Sequence, residues 1–557
     1  MKPAVFSVWS SPHCTMELFQ DIPQVIQVDI LCHWLKQEEV ALLDSALCCK
    51  SNRPRFLSAL GSKCVYPSLD TSYEEQAQWV TLRNIRIRDL TLRHNTNAAT
   101  REKLLKSVSP SLKELCLCMA DFDDEDEFEI TSFSIDDTLF DIAMLCPNIQ
   151  ELTTCNVKVT SNFNLVILKC ATLKTIRLYR CTDITSSTIK SICSAPNMRA
   201  LDFDESQFDS DTPDFSTYKS DSIRELYISN TKLSRAGVIN LCSCFPFLTM
   251  MSVGPVRGDT LPDIASLCPH IKGSRFNITD MLTEQHATLL CKHWPHIQLL
   301  QITSVFENSI VCSEEVVLIL LKGCAELLKL SVCNLESWRA NLYHSSAHPV
   351  APDAHSIPSA IPTANTNKAA KSKVTDLFLE SATAATLSII LTLCPQLNTL
   401  AIRHCTPINP PRTVLTNQQR AAEYALSSLN HPTCSVRKLH LHNIRSLAGV
   451  DLLSLTGLEE LQLSNIGRKL SNEVLFQVVK NNPHLRSISL SNCELLRGYS
   501  LILSLLKLCP ALHTFNFTEC DALLKGNEEN PFPTSLLVLE EMTKHSFPNI
   551  KKLHLRL

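Results

Sequence analysis

Leu173-Lys-Thr-Ile176-Arg-Leu178-Tyr-Arg-Cys181-Thr-Asp-Ile184-Thr, followed by Ile189-Lys-Ser-Ile192-Cys193, holds two apolar periodicities in one short stretch. From Leu173 the pattern is apolar-x-x-apolar-x-apolar, and its alternating half suits a strand with Ile176 and Leu178 on one side and Arg177 and Tyr179 on the other. The spacing of Ile189 and Ile192 instead suits one face of a helix. A strand, a turn and a helix this small cannot cover their own apolar faces, so neighbours of the same kind are required.

Neighbours are present along most of the chain. Clear copies of the string begin at Ile87, Leu112, Leu173, Ile223, Leu397, Val436, Leu458, Leu485, Leu512 and Ile550. Weaker ones begin at Ile149, Met198, Leu248, Ile271, Ile297, Leu327 and Val374, about seventeen in all. Most intervals between neighbouring starts run from 22 to 30 residues. Several copies follow an apolar stretch closed by Cys-Pro, at Cys146-Pro147, Cys268-Pro269, Cys394-Pro395 and Cys509-Pro510; proline cannot continue a helix, so the chain turns there toward the next strand.

The unit resembles the cysteine-containing subfamily of leucine-rich repeats, and Leu397 to Cys405, Leu485 to Cys493 and Leu512 to Cys520 repeat its Leu-to-Cys spacing. The resemblance covers roughly residues 85 to 557. The expected fold class is α/β, a leucine-rich-repeat solenoid curved as a horseshoe, with a parallel sheet on the concave face and helices outside. The solenoid is placed at 61–557, after a tail at 1–16 and a helical segment at 17–60. Four intervals interrupt it: an acidic run at Asp121–Glu129, a flexible insertion at about 336–372, a proline-led stretch at 403–433 and a polar excursion at 521–535. The acidic run reads as a solvated loop or as a contact for a basic partner.

The segment 17–60 follows another pattern. Ile22-Pro23, Val25-Ile26, Ile30-Leu31, Trp34-Leu35, Val40, Leu42-Leu43 and Leu47 suit two or three short amphipathic helices, which could cap the first repeat. With Glu38-Glu39 and Cys48-Cys49-Lys50, the order also resembles an F-box, although Pro23 stands about one residue out of the usual register and no tryptophan follows Lys50. That resemblance implies that Ile22, Pro23, Ile30, Leu31, Trp34, Leu35, Leu42 and Leu43 contact the adaptor subunit of a cullin-based ubiquitin ligase, and that the repeats hold a substrate protein.

Composition narrows the function. Across 557 residues, 52 Lys plus Arg oppose 56 Asp plus Glu, a formal charge of −4 that makes nucleic acid an unlikely partner. Only 11 glycines occur, and neither G-x-G-x-x-G nor a Walker A string is found. The 25 cysteines accompany no export signal and no apolar stretch of membrane-spanning length, so reduced thiols in the cytoplasm or nucleus are expected, with no membrane partner. The N-x-T strings at Asn277 and Asn516 are then chance matches.

No site for chemistry is expected. There is no C-x-x-C pair; Cys116-Leu-Cys118, Cys242-Ser-Cys244 and Cys48-Cys49 have the wrong spacing for zinc, and Cys291-Lys-His293-Trp-Pro-His296 stands isolated. The repeated cysteines read as small apolar fillers of the interior. G-x-S-x-G and H-E-x-x-H are absent, and Glu459-Glu460 are strand neighbours that point to opposite sides. Expected catalytic residues, cofactors and metals are therefore none. The expected function is a non-catalytic protein-recognition module, resembling an F-box substrate receptor, that binds through Arg177, Tyr179, Tyr227, His440, His442, Gln462, Asn516 and His554 on the concave face. The alternative is a scaffold or inhibitor of the ribonuclease-inhibitor type, with no ubiquitin-ligase role.

Overall fold

The computed structural model describes residues 65–118, 135–209, 215–305, 311–336, 371–403, 435–442, 452–520 and 550–556, apart from a few positions within these stretches. The chain divides into two compact units, residues 1–248 and 249–557.

In the first unit, strands β1 (Val65–Asp70), β2 (Arg86–Arg93), β3 (Glu114–Cys118), β4 (Glu151–Cys155), β5 (Thr175–Tyr179), β6 (Ala200–Asp202) and β7 (Glu225–Ser229) pair in chain order, all parallel. In the second, β8 (Met250–Val256), β9 (Gly273–Ile278), β10 (Leu299–Ser304), β12 (Lys329–Val332), β14 (Asp376–Glu380), β15 (Thr399–Arg403), β16 (Lys438–His442), β17 (Glu460–Ser464), β18 (Ser487–Ser491), β19 (Thr514–Thr518) and β20 (Lys552–Arg556) do the same. Two short strands, β11 (Cys312–Ser313) and β13 (Leu335–Glu336), pair separately. Each unit is a leucine-rich-repeat solenoid.

Every string read from the sequence, clear or weak, carries a strand, beginning two residues after its first apolar position in all but the Ile87 copy. The array starts earlier than the strings did. Val65, Tyr66, Ser68, Leu69 and Asp70 pair with β2, Pro67 interrupts the pattern, and Leu69 is buried.

Burial follows the alternation. Leu115 and Leu117, Ile176 and Leu178, and Leu226 and Ile228 are buried, as are the matching Leu439 and Leu441, Leu461 and Leu463, and Ile488 and Leu490. Helices such as Asp136–Leu145, Ser161–Lys169 and Ser186–Ser194 carry the chain between strands and bury one face, for instance Leu139 and Ile142, Val166 and Ile167, and Ile189 and Ile192.

Two recurrent devices join successive repeats. One is a left-handed residue just after the strand: Asn156, Asn230, Asn465 and Asn492 have φ between 49° and 57°, and Arg180, Glu205 and Glu519 take the same conformation. Asparagine tolerates this region better than arginine or glutamate. Glu519→Asn is therefore expected to stabilise the second unit by about 0.5–1 kcal/mol, read as a shift in its urea midpoint. The other device sits where several helices end. The residue there turns its side chain inward and donates to a carbonyl of the preceding repeat: Cys170 Sγ to Cys146 O at 3.4 Å, Trp294 Nε1 to Cys268 O at 2.8 Å, and Cys509 Sγ to Asn482 O at 3.9 Å. Of these donors, Cys509 belongs to one of the Cys-Pro pairs marked in the sequence, whereas Cys146 and Cys268 of two others supply accepting carbonyls.

Among the described residues the cysteines form no disulfides, and most are buried. Burial pushes the thiol pKa up to about 12 for Cys146 and to about 11 for Cys170 and Cys509, which is the behaviour of an inert filler. Among those residues no helix is long and apolar enough to cross a membrane.

Candidate protein-binding face

On each strand, the residues between the buried leucines face away from the core and form rows across the sheet. In the first unit the middle row runs Thr91, Cys116, Thr153, Arg177, Asp202, Tyr227. The row before it runs Asp89, Glu114, Glu151, Thr175, Ala200, Glu225. Arg177, Tyr179 and Tyr227 thus come together on the sheet of the first unit, all of them partly exposed.

Carboxylates hold them in place. Arg177 Nη1 donates to Glu151 Oε2 at 2.9 Å; burial works against its charge, but that hydrogen bond and the charge of Glu151 outweigh it and its pKa rises. Tyr179 Oη donates to Asp202 Oδ2 at 3.1 Å, and Tyr227 Oη to Glu225 Oε2 at 3.1 Å. Burial, then the charge of Asp202, pushes Tyr179 up to about 12, and burial with Glu225 raises Tyr227. Both phenols stay neutral donors at physiological pH. Asp202 is itself raised, first by loss of solvent, although Tyr179 and the Asp204 amide donate to it. Asp89, farther along the sheet, is raised by burial and then by Glu114.

The face is acidic on balance. Asp70, Asp89, Glu114, Glu151, Asp202 and Glu225 outnumber the guanidiniums of Arg88, Arg93 and Arg177; Arg93 is clamped on both oxygens of Asp70 at 2.8 Å, and Arg88 pairs with Asp89 at 3.4 Å and Glu114 at 3.3 Å. Burial raises Asp202, so a positive group arriving over it would favour its charged form.

The remaining candidates lie in the second unit. His440 and His442 stand on β16, Gln462 on β17 beside His440, and Asn516 on β19 in register with His554 on β20. His440 Nε2 lies 3.0 Å from Glu460 Oε1, with Lys438 3.6 Å from the other oxygen; Asn516 Nδ2 donates to Ser489 Oγ at 3.4 Å. Gln462 is exposed. Ser464, expected on this surface by alternation, is buried. Glu459 does point away from Glu460: it pairs with Arg437 at 2.7 Å, whereas Glu460 faces His440.

Ile22, Pro23, Ile30, Leu31, Trp34, Leu35, Leu42 and Leu43 lie outside the described residues, as do the acidic run Asp121–Glu129 and most of the insertion at 336–372. Reading the sequence alone missed Glu151, Glu225 and Glu460, the carboxylates that orient Arg177, Tyr227 and His440. The signal was present: Glu114, Glu151, Glu225 and Glu460 each stand just before the second apolar position of their string, one pleat ahead of the chosen residues and on the same side.

No protein-family model matches the chain, and no curated protein matches it. Among solved structures, it is similar to a chain of the crystal structure of the Rad7 and Elc1 complex in yeast, with 13% identity and a TM-score of 0.38 over 87% of this chain and 91% of that one. It is also similar to the leucine-rich repeat-containing protein LegL7 from Legionella pneumophila, with 12% identity and a TM-score of 0.28 over 45% of this chain and 87% of that one. The fold assignment rests on the strand register described above.

Proposed function

We propose that the chain is a non-catalytic recognition protein that holds a protein partner against the sheet of its first unit, and that the partner offers a cationic segment there. What supports this reading is the registered patch on β4 to β7, where Arg177, Tyr179 and Tyr227 stand partly exposed among Glu151, Asp202 and Glu225. Tyrosine and arginine concentrate binding energy because they combine contact area with directional hydrogen bonds. An acidic surround attracts a basic partner and repels an acidic one.

The reading is tested by capture with the full chain, identification of the bound protein by mass spectrometry, and titration of that protein against variants. Tyr227→Ala and Glu225→Lys are each expected to weaken binding about ten-fold or more. Affinity should also fall as salt rises from about 50 to 300 mM, because charges at the rim of a surface are screened. Wild-type affinity in both variants, or an affinity independent of salt, would refute the assignment of the face.

The F-box-like reading of residues 17–60 is supported by their sequence order. On it, those residues dock on the adaptor subunit of a cullin-based ubiquitin ligase and the repeats present the substrate. Recovery of the adaptor with the full chain but not with a chain lacking 17–60 is the expected result. Equal recovery from both would refute that role for the segment.

A further inference from the structure

We propose that Cys291 and Cys324 form an oxidative modification site, closing to a disulfide that ties two neighbouring repeats of the second unit together. Cys291 lies in the last turn of the helix Glu284–His293, and Cys324 is the residue that ends the next helix, Glu314–Gly323. Their sulfurs are 3.5 Å apart, with the Cys324 thiol donating to Cys291.

The approach depends on the residue between them. Gly323 precedes Cys324, and a β-carbon built on it would fall 2.5 Å from Cys291 Sγ and 2.8 Å from its Cβ. The two helix ends touch there because Gly323 has no side chain. With the backbones this close and Cys324 next along the chain, the short sulfur-to-sulfur movement to bonding distance needs rotation about the Cα–Cβ bonds rather than separation of the helices.

The two thiols are also unequal. Cys291 is partly exposed, whereas Cys324 is buried. The hydrogen bond from Cys324 lowers the pKa of Cys291, so the less buried residue of the pair carries the better nucleophile. With hydrogen peroxide as oxidant, the Cys291 thiolate attacks one oxygen. An S–O bond forms, the O–O bond breaks, and hydroxide leaves to take up a proton as water. Cys324 sulfur then attacks Cys291 sulfur: the S–S bond forms, the S–O bond breaks, and the departing hydroxide takes the Cys324 proton. Two thiols are oxidised and one peroxide is reduced to two waters.

Closing the bond joins residues 33 positions apart. A cross-link over such a loop restricts the unfolded chain. Oxidation should therefore raise the thermal midpoint of the second unit by several degrees, and dithiothreitol should reverse it.

The test treats the reduced full chain with hydrogen peroxide at low molar excess, blocks remaining thiols with N-ethylmaleimide and maps the digest by mass spectrometry. A peptide linking Cys291 to Cys324 should accumulate before any other cross-link. In Cys324→Ser the cross-link should vanish and Cys291 should be trapped by dimedone as a sulfenic acid. Gly323→Ala, which pushes Cys291 away, should reduce the yield about ten-fold. Should Gly323→Ala fail to fold, the double variant Cys291→Ala/Cys324→Ala must lose the peroxide-induced rise in midpoint. Absence of the cross-link in the wild type, its appearance only after urea, or a midpoint rise unchanged in the double variant would overturn the proposal.

Discussion

Trp294→Ala is expected to lower the stability of the second unit by about 3–5 kcal/mol. Trp294 is 1% exposed and lies parallel to Phe276, ring centroids 5.8 Å apart and planes 6° from coplanar. Its Nε1 donates to Cys268 O at 2.8 Å. At several equivalent helix ends the chain uses cysteine, so the indole occupies a space shaped for it between two repeats. Truncation opens a cavity, removes the stacked partner of Phe276 and removes the indole hydrogen bond to the Cys268 carbonyl. Trp294→Phe separates these contributions: it retains most of the ring and loses the hydrogen bond, an expected cost of about 1–2 kcal/mol. Urea denaturation followed by circular dichroism measures both, and a loss under about 1 kcal/mol for the alanine variant would show that the repeats repack around the gap.

Asn482→Leu should cost about 3 kcal/mol, although leucine is the commoner residue in such an interior. Asn482 is 1% exposed and makes three hydrogen bonds of 2.8 Å: Oδ1 accepts from the Leu458 amide, and Nδ2 donates to the carbonyls of Leu455 and Val478. One of those three groups, the Leu455 carbonyl, belongs to the preceding repeat. A leucine fills the space but strands the Leu458 N–H and the Leu455 carbonyl away from water. Asn482→Asp should be worse still, since it removes both donors and buries a charge. Hydrogen exchange of the Leu458 amide gives an independent readout. Protection there should fall in both variants, and unchanged protection would mean that the amide has another partner.

The period was legible because the physical demand behind it is unforgiving. A strand of this sheet must place two apolar residues inward at a separation of two, and a helix must follow within a fixed length, so even the poor copy at Met198, whose strand is three residues long, falls in step. Legibility failed where another residue could satisfy the same constraint. Val65–Asp70 pairs as a strand with one buried leucine and a proline in place of the usual pattern. The left-handed turn is readable at Asn156 or Asn492 and invisible at Arg180 or Glu519. Of the candidate face, Arg177, Tyr179 and Tyr227 could be picked out by alternation. Their carboxylate partners come from adjacent strands or from one pleat earlier, and a string read along one strand does not display contacts made across several. The Cys291–Cys324 contact was hidden for the same reason, as it spans two helices and depends on a glycine.

The hydrogen bonds that reach backward from helix ends bear on how such an array can change in length. A module excised between matching helix ends leaves behind a donor of the same kind facing a main-chain oxygen of the same kind, so arrays built on Cys170 or Cys509 can be shortened or extended by in-phase recombination with little redesign. Trp294 and Asn482 mark the exceptions, for each is fitted to one particular predecessor. Modules on either side of those seams are bound to be inherited together.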